Sequence, residues 1–423
     1  MDRREKLYKV IGPGLLFASS AIGTSHLVLA TRAGAHHGMI FLWIILLALL
    51  LKYPFYEFGP RYATATGYSL VKAYKDQGNW AVYLFMLVIS VNMFAVVAAI
   101  AAVSAGLLST MFGFNSISVP ILSGIILLVT VLILLTGGFK GLDVIVKCIS
   151  VILLLTVTIA FIAVIIKGPV EQVNNYSSFS FLEGAGLALL VSLLGWMPAG
   201  MEASIMNSIW TIEKSKSSNY NATLKESLFD FNLGYVFTGI LALMFLTIGA
   251  FTVYGSGALL DGNATQFSNK LLNVFTQHLG NWSYYLIAIS AFGTIYGTLI
   301  TVLDAFPRCF VRGLRVLKYE EVQKNADQQS FIAKGYNLTV CLVAIGAFCL
   351  FYFSAASMIQ LLQYVTIISF IMSPIIAFLN LKAINSKEVL TEHKPSRGLI
   401  YLAYAGMFAM LIFSVYYLVD LIS

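Results

Sequence analysis

Two ionisable side chains stand inside apolar sequence beside residues that break helices. His26 follows Gly23, Thr24 and Ser25, and Glu202 follows Met197, Pro198, Ala199, Gly200 and Met201. A carboxylate and an imidazole facing one cavity can bind a cation or pass a proton, since histidine titrates near neutral pH. Charge buried in a bilayer is costly, which makes both residues functional candidates. The plainer alternatives are a neutral His26 bonded to a freed carbonyl and a structural hydrogen bond at Glu202. The small residues around them let a cargo approach exposed backbone amides. The expected substrate site is therefore Gly23, Thr24, Ser25, His26, Met197, Ala199, Gly200 and Glu202. His26, Glu202, Asn207 and Asp304 are expected to couple or gate.

The elements that must position these groups are transmembrane helices. The 423 residues are 59% hydrophobic and only 11% charged, with a mean hydropathy of +0.85, which excludes a soluble domain. Charge-free apolar runs exceed the ~18 to 20 residues that cross a bilayer as a helix. Two runs, Gln77 to Phe139 and Gly335 to Leu381, are double length, with turns expected near Gly113, Asn115 and Ser116 and near Ser354. About 11 spans result, and the chain is expected to be one transmembrane domain. With the N-terminus cytoplasmic and the C-terminus outside, all but Arg32, Lys52, Lys167 and Lys270 of the 26 lysines and arginines fall on the inside, as the positive-inside rule requires. The net charge of +7 therefore reports topology and excludes nucleic acid as a partner. Residues 1 to 23 mimic a secretory signal but read as a retained first span. Arg308 to Lys334, the longest hydrophilic stretch, is too short to fold alone.

The first and sixth spans are interrupted. The first carries Gly12-Pro13-Gly14 at its start and Gly23-Thr24-Ser25-His26 in its middle; the sixth carries Gly195, Met197, Pro198 and Gly200. Non-helical backbone at mid-membrane depth is tolerated only inside protein or beside a wet cavity. Span one runs outward and span six inward, so each opens one of two five-span units of opposite topology. That is the layout of an inverted-repeat secondary transporter with its cargo between the breaks. The expected repeats cover about residues 10–167 and 182–382, with an extra helix at about 398–420.

Other polar residues carry less. Lys52 with Glu57, and Asp143 with Lys147, are expected to snorkel or pair at the interface. Thr294, Thr298 and Thr301 could line a path or glue helices together; Gln360 and Gln363 could cap the cavity. Cys148, Cys309, Cys341 and Cys349 show no CxxC spacing, which gives no zinc site and no disulfide framework; they read as small core residues.

Across nearly its whole length the chain resembles the NRAMP family of divalent-metal transporters. The resemblance rests on GPGLLFAS opening the first span, TRAGA closing it, GGFKGLD before the fifth and WMP in the sixth. It implies an all-α polytopic membrane protein with a LeuT-type 5+5 inverted repeat, broken helices one and six, and transport of Mn²⁺ or Fe²⁺ with protons. The family signature is Asp-Pro-Gly-Asn in the first break and Met-Pro-His in the sixth. Here the first four positions hold Gly23, Thr24, Ser25 and His26, and Ala199 replaces the histidine after Met197 and Pro198. The third span, Trp80 to Phe112, lacks the family's acidic residues and keeps Asn92 as its only amide. A metal site would fall to Met197, Glu202 and His26, and a standard Mn²⁺ or Fe²⁺ site is not expected from so thin a ligand set.

The expected function is NRAMP-related secondary transport by alternating access, with metal cations as the cargo class by resemblance. A small organic solute such as an amino acid is the alternative, because Gly23-Thr24-Ser25 and Gly200-Met201-Glu202 are similar to the breaks of amino-acid permeases of the same fold. A co-transported proton or sodium ion and the lipid bilayer complete the expected partners; no cofactor is expected. No catalytic triad, HExxH or paired catalytic carboxylates occur, which argues against an enzyme. The sparse loops fit a bacterial inner membrane.

Overall fold

Apolar runs cannot leave backbone amides unpaired in lipid, so each run closes its hydrogen bonds within a helix. The computed structural model describes residues 8–114, 116–171, 180, 184–257, 260, 264–319, 326–353 and 358–422, and it is helical throughout. The expected turn at Ser354 and the Asn115 position lie outside the described residues.

Span one is split. Helix α1 (Pro13–Ala21) starts at the proline, where a missing N–H costs nothing, and stops at Ile22. A wider π-helical turn, Ser25–Ala30, then leads into α2 (Thr31–His37). Spans two and three are α3 (Phe41–Thr66) and α5 (Asn79–Phe112), joined by the short amphipathic α4 (Leu70–Gln77). Spans four and five are two helices, together α6 (Val119–Lys167), that meet at a kink at Gly138, whose non-helical φ of 53° and ψ of −158° suit glycine. Span six is again split, into α7 (Gly184–Trp196) and α8 (Ala203–Ser218). Span seven is α9 (Leu224–Thr252), α10 (Ala264–Leu279) is amphipathic, and α11 (Ser283–Lys318), α12 (Ala326–Phe353), α13 (Met358–Ile384) and α14 (Arg397–Ile422) complete the eleven spans.

Eight helical stretches among the described residues are each long and apolar enough to cross a membrane unaided. One of them, Ser25–Thr66, joins the second half of span one to span two; another, Val119–Lys167, holds spans four and five. On α6 the residues Leu128, Leu132, Leu155, Ile162 and Ile166 are exposed. An apolar surface of this kind suits lipid. Cys148 belongs to the exposed surface and only Cys309 is fully buried, which corrects the expectation of four core cysteines.

The broken span one is seated on α9 through close backbone approach. A Cβ added at Gly14 would lie 1.9 Å from the Asp230 carbonyl oxygen, and one at Gly34 2.1 Å from that of Leu246. Small residues permit such crossings in membranes.

Candidate functional site

Both breaks expose backbone groups that need partners, and the neighbouring helices supply them. In α7 the Leu194 carbonyl would ordinarily accept from residue 198, but Pro198 has no N–H to give. The helix ends at Trp196, so the Gly195 carbonyl loses its partner too. Lys52 of α3 fills both places: its Nζ donates to Leu194 O at 2.5 Å and Gly195 O at 2.9 Å. One turn on, Tyr56 donates to Ala199 O at 2.5 Å. Lys52 is 3% exposed. The expected snorkelling lysine is therefore a buried donor to the break, drawn inward because two orphaned carbonyls in a low dielectric attract an ammonium more than the interface does. Glu57 does pair, with Arg61 one turn later on α3.

Between the breaks lies a cavity of about 40 Å³. That exceeds the roughly 10–15 Å³ a cavity needs to hold water. From the first break it is lined by Ser20, Ala21, Thr24 and Ser25, and from the sixth by Trp196, Ala199, Gly200, Glu202, Ala203 and Met206. Thr298, Val302 and Phe306 of α11 and Val96 and Ile100 of α5 close it.

Glu202 stands at the N-terminus of α8, where the helix dipole favours negative charge. Asn92 lies at 3.5 Å from Glu202 Oε1 and donates to Ser369 Oγ at 3.2 Å. A Cβ at Gly200 would come 2.5 Å from Oε1, so the glycine makes room for the carboxylate. Thr24 Oγ1 and Trp196 Nε1 have no hydrogen-bond partner among the described residues, and both residues line the cavity.

Five expected site residues lie elsewhere. His26 turns away: its Nε2 meets the Thr238 carbonyl of α9 at 3.0 Å and its Nδ1 meets Ser25 Oγ at 2.7 Å. A carbonyl only accepts, so Nε2 carries the proton and both ring nitrogens are engaged. Met197 is fully buried off the cavity, and Met206 brings the thioether that lines it. Gly23 packs on α11, where a Cβ would lie 2.2 Å from Thr298 Oγ1. Asp304 is sealed, accepting from Arg308 at 2.7 Å, Tyr336 at 2.7 Å and Trp210 at 3.2 Å, which makes it a clasp between α8, α11 and α12. Asn207 is buried, with neither amide atom bonded among the described residues, and does not line the cavity. Among the described residues no group of three or more His, Cys, Asp or Glu could hold a metal ion.

Of the path residues, Thr298 donates to Ser19 O at 2.8 Å across to α1, while Thr294 and Thr301 bond within α11. Gln360 and Gln363 lie away from the cavity. Asp143 pairs with Lys147 at 2.8 Å, as expected, and also with Lys214 of α8 at 2.8 Å.

The sequence matches the natural resistance-associated macrophage protein-like (Nramp) family across residues 14–420. The chain belongs to the Nramp family. This Nramp chain is 32% identical over 416 residues to an uncharacterized protein of Pasteurella multocida, covering 97% of this chain and 92% of the relative. It is 26% identical over 283 residues to the divalent metal cation transporter MntH of Staphylococcus saprophyticus, covering 64% of this chain and 61% of that protein. In fold it is similar to the Eremococcus coleocola manganese transporter, with a TM-score of 0.68 at 14% identity for a histidine-to-alanine mutant, covering 96% of this chain and 85% of that one. The same transporter bound to an aromatic bis-isothiourea substituted compound gives a TM-score of 0.67 at 15% identity. The Nramp chain thus has the LeuT-type architecture, in a family of membrane transporters.

Proposed function

We propose that this Nramp chain is a secondary transporter that carries a small cation by alternating access, with the cargo held at Glu202 between the two breaks. The observation that carries this reading is the Glu202 carboxylate on the wall of a small cavity large enough to hold water. A partly hydrated ion fits that space; an organic solute requires the cavity to widen. The donors around it are one carboxylate, the hydroxyls of Ser20, Thr24, Ser25 and Thr298, and the Met206 thioether. An oxygen-rich set with a single charge suits a hard cation that keeps part of its water, as Mg²⁺ does, more than one stripped and held by imidazole and thiolate. The divalent metal named for the Staphylococcus relative and the manganese named for the solved structures point to the same cargo class. A proton or sodium gradient drives the cycle, the N-terminus lies in the cytoplasm of a bacterial inner membrane, and residues 10–167 and 182–382 form the two inverted repeats.

A second reading, transport of a small organic solute, is favoured by the apolar walls that Val96, Ile100, Trp196, Val302 and Phe306 give the cavity.

Uptake into proteoliposomes separates the two. Flux of Mg²⁺ or Mn²⁺ in the wild type and its loss in Glu202→Gln supports the cation reading. Amino-acid flux with both metals silent replaces it with the second. Collapsing the proton and sodium gradients in turn identifies the driving ion.

A further inference from the structure

A second cavity, of about 560 Å³, lies between α4, the end of α13 and α14, and shares no residue with the one between the breaks. Asp76 and Gln77 at the end of α4, and Lys382 and Ser386 at and just after the end of α13, make its polar wall. Two atoms of that wall, Gln77 Oε1 and Ser386 Oγ, are buried with no hydrogen-bond partner among the described residues. The Gln77 amide cannot turn over to relieve this, because its Nε2 donates to the Leu379 carbonyl at 2.9 Å and a carbonyl only accepts. Buried polar atoms left unpaired are costly, so this wall suits a ligand with an N–H for Gln77 and an acceptor for the Ser386 hydroxyl. The charges divide in the same way. Asp76 and Glu388 share the single ammonium of Lys72, at 2.7 and 2.6 Å, which leaves negative charge in excess beside α4, while the α13 side brings the exposed Lys382. The remaining wall is apolar: Phe378, Tyr404 and Met407. Tyr404 and Met407 lie roughly 10–15 Å along α14 from its start at Arg397, so the cavity runs from the polar ends of the last two spans into the depth of the hydrocarbon.

We propose that this cavity binds one phospholipid with a primary-amine headgroup, of the phosphatidylethanolamine class. Its ammonium donates to Gln77 Oε1 and Asp76, its phosphate accepts from Lys382 and Ser386, and an acyl chain covers Phe378, Tyr404 and Met407. Both orphaned atoms are then paired, and hydrogen bonds to charged groups are the stronger kind. Free phosphate matches Lys382 and Ser386 alone and leaves Gln77 Oε1 and the apolar wall without a partner. A lipid so held ties α4 and α13 to α14. The proposal is independent of what the cavity between the breaks carries.

The test is thermal unfolding of the purified full chain in detergent as dioleoylphosphatidylethanolamine is titrated in, since a lipid that binds the folded chain raises the midpoint by mass action. A saturable rise of several degrees is expected. Dioleoylphosphatidylcholine, whose quaternary ammonium has no N–H for Gln77 Oε1, and dioleoylphosphatidylglycerol, which has no cation for Asp76, should each bind about tenfold more weakly. Glycerophosphoethanolamine, the same headgroup without acyl chains, should do little. Lys382→Ala and Ser386→Ala should keep a lipid-free midpoint near wild type and lose most of the response to phosphatidylethanolamine, while Lys382→Arg should retain it. Equal responses to the three lipids, an unchanged response in both alanine variants, or equal stabilisation by glycerophosphoethanolamine overturns the proposal. If the alanine variants do not fold, native mass spectrometry of the wild type must show one phosphatidylethanolamine retained in preference to the other two lipids, or the proposal falls.

Discussion

Asp230 of α9 holds Gly14 at the start of α1: its Oδ2 accepts the Gly14 N–H at 2.7 Å, and its Oδ1 accepts that of Gly12 at 3.0 Å. The carboxylate thereby satisfies two of the donors a helix N-terminus leaves unpaired and sits where the dipole favours negative charge.

Asp230→Ala should leave both buried N–H groups unpaired, at about 1–3 kcal/mol each, and lower the unfolding midpoint markedly. Asp230→Asn keeps one acceptor and should fall between. Equal midpoints for the two variants would show that the charge-assisted bonds contribute little.

Gly200→Ala should spare the fold and damage the site. The added Cβ would lie 2.5 Å from Glu202 Oε1, and a flexible carboxylate yields more easily than backbone. The expected result is a near wild-type midpoint with cargo affinity reduced about tenfold or more, roughly 1.4 kcal/mol; unaltered affinity would place the cargo elsewhere.

Gly23→Ala should do the reverse. Its Cβ would meet the Thr298 side chain, whose hydroxyl ties α11 to Ser19 O, so stability should fall with or without cargo. A variant as stable as wild type but weak in cargo binding would return Gly23 to the cavity wall.

His26 should matter for folding more than for binding. His26→Ala removes the buried bond to the Thr238 carbonyl and the contact with Ser25 Oγ, which keeps its own bond to Ala21 O, at about 0.5–1.5 kcal/mol per bond lost. His26→Gln, which can still donate to the carbonyl, should restore part of that midpoint. A cation that fails to bind His26→Gln, with the fold intact, would make His26 a ligand after all.

Outside the membrane, Lys72 of α4 bonds Glu388, in the loop after α13, at 2.6 Å. Burial acts to raise this carboxyl, but hydrogen bonds from Lys72 and Tyr62 outweigh it and hold Glu388 below the usual glutamate range. A depressed carboxyl stabilises the fold above its unfolded value and loses that contribution as pH falls through the folded one. Acidification should therefore loosen this clasp. Glu388→Gln should show a shallower loss of stability over the same acid range, and an identical acid limb would discount the pair.

Much of the scaffold is readable from residue types alone, because lipid forces each apolar run into a helix and allows a break only where protein covers it. Gly23, Pro198 and Gly200 thus mark both breaks. Identity within the breaks is less informative. His26 and Met197 are the chemically conspicuous residues, yet the π-helical turn after Ser25 rotates the imidazole toward α9, and Met206 on the next turns of α8 reaches the cavity in place of Met197. The α11 wall has a sequence signal, since Thr298, Val302 and Phe306 recur every four residues along one helix face. Lys52 has none, as only the fold shows that its ammonium meets the carbonyls that Pro198 leaves unpaired.

The most direct test of the central claim is calorimetric titration of the purified chain with Mg²⁺ and Mn²⁺, in wild type and in Glu202→Gln. The account predicts saturable binding of at least one ion in the wild type and none in the variant. Equal binding in both, or no metal binding alongside saturable binding of an organic solute, would contradict it.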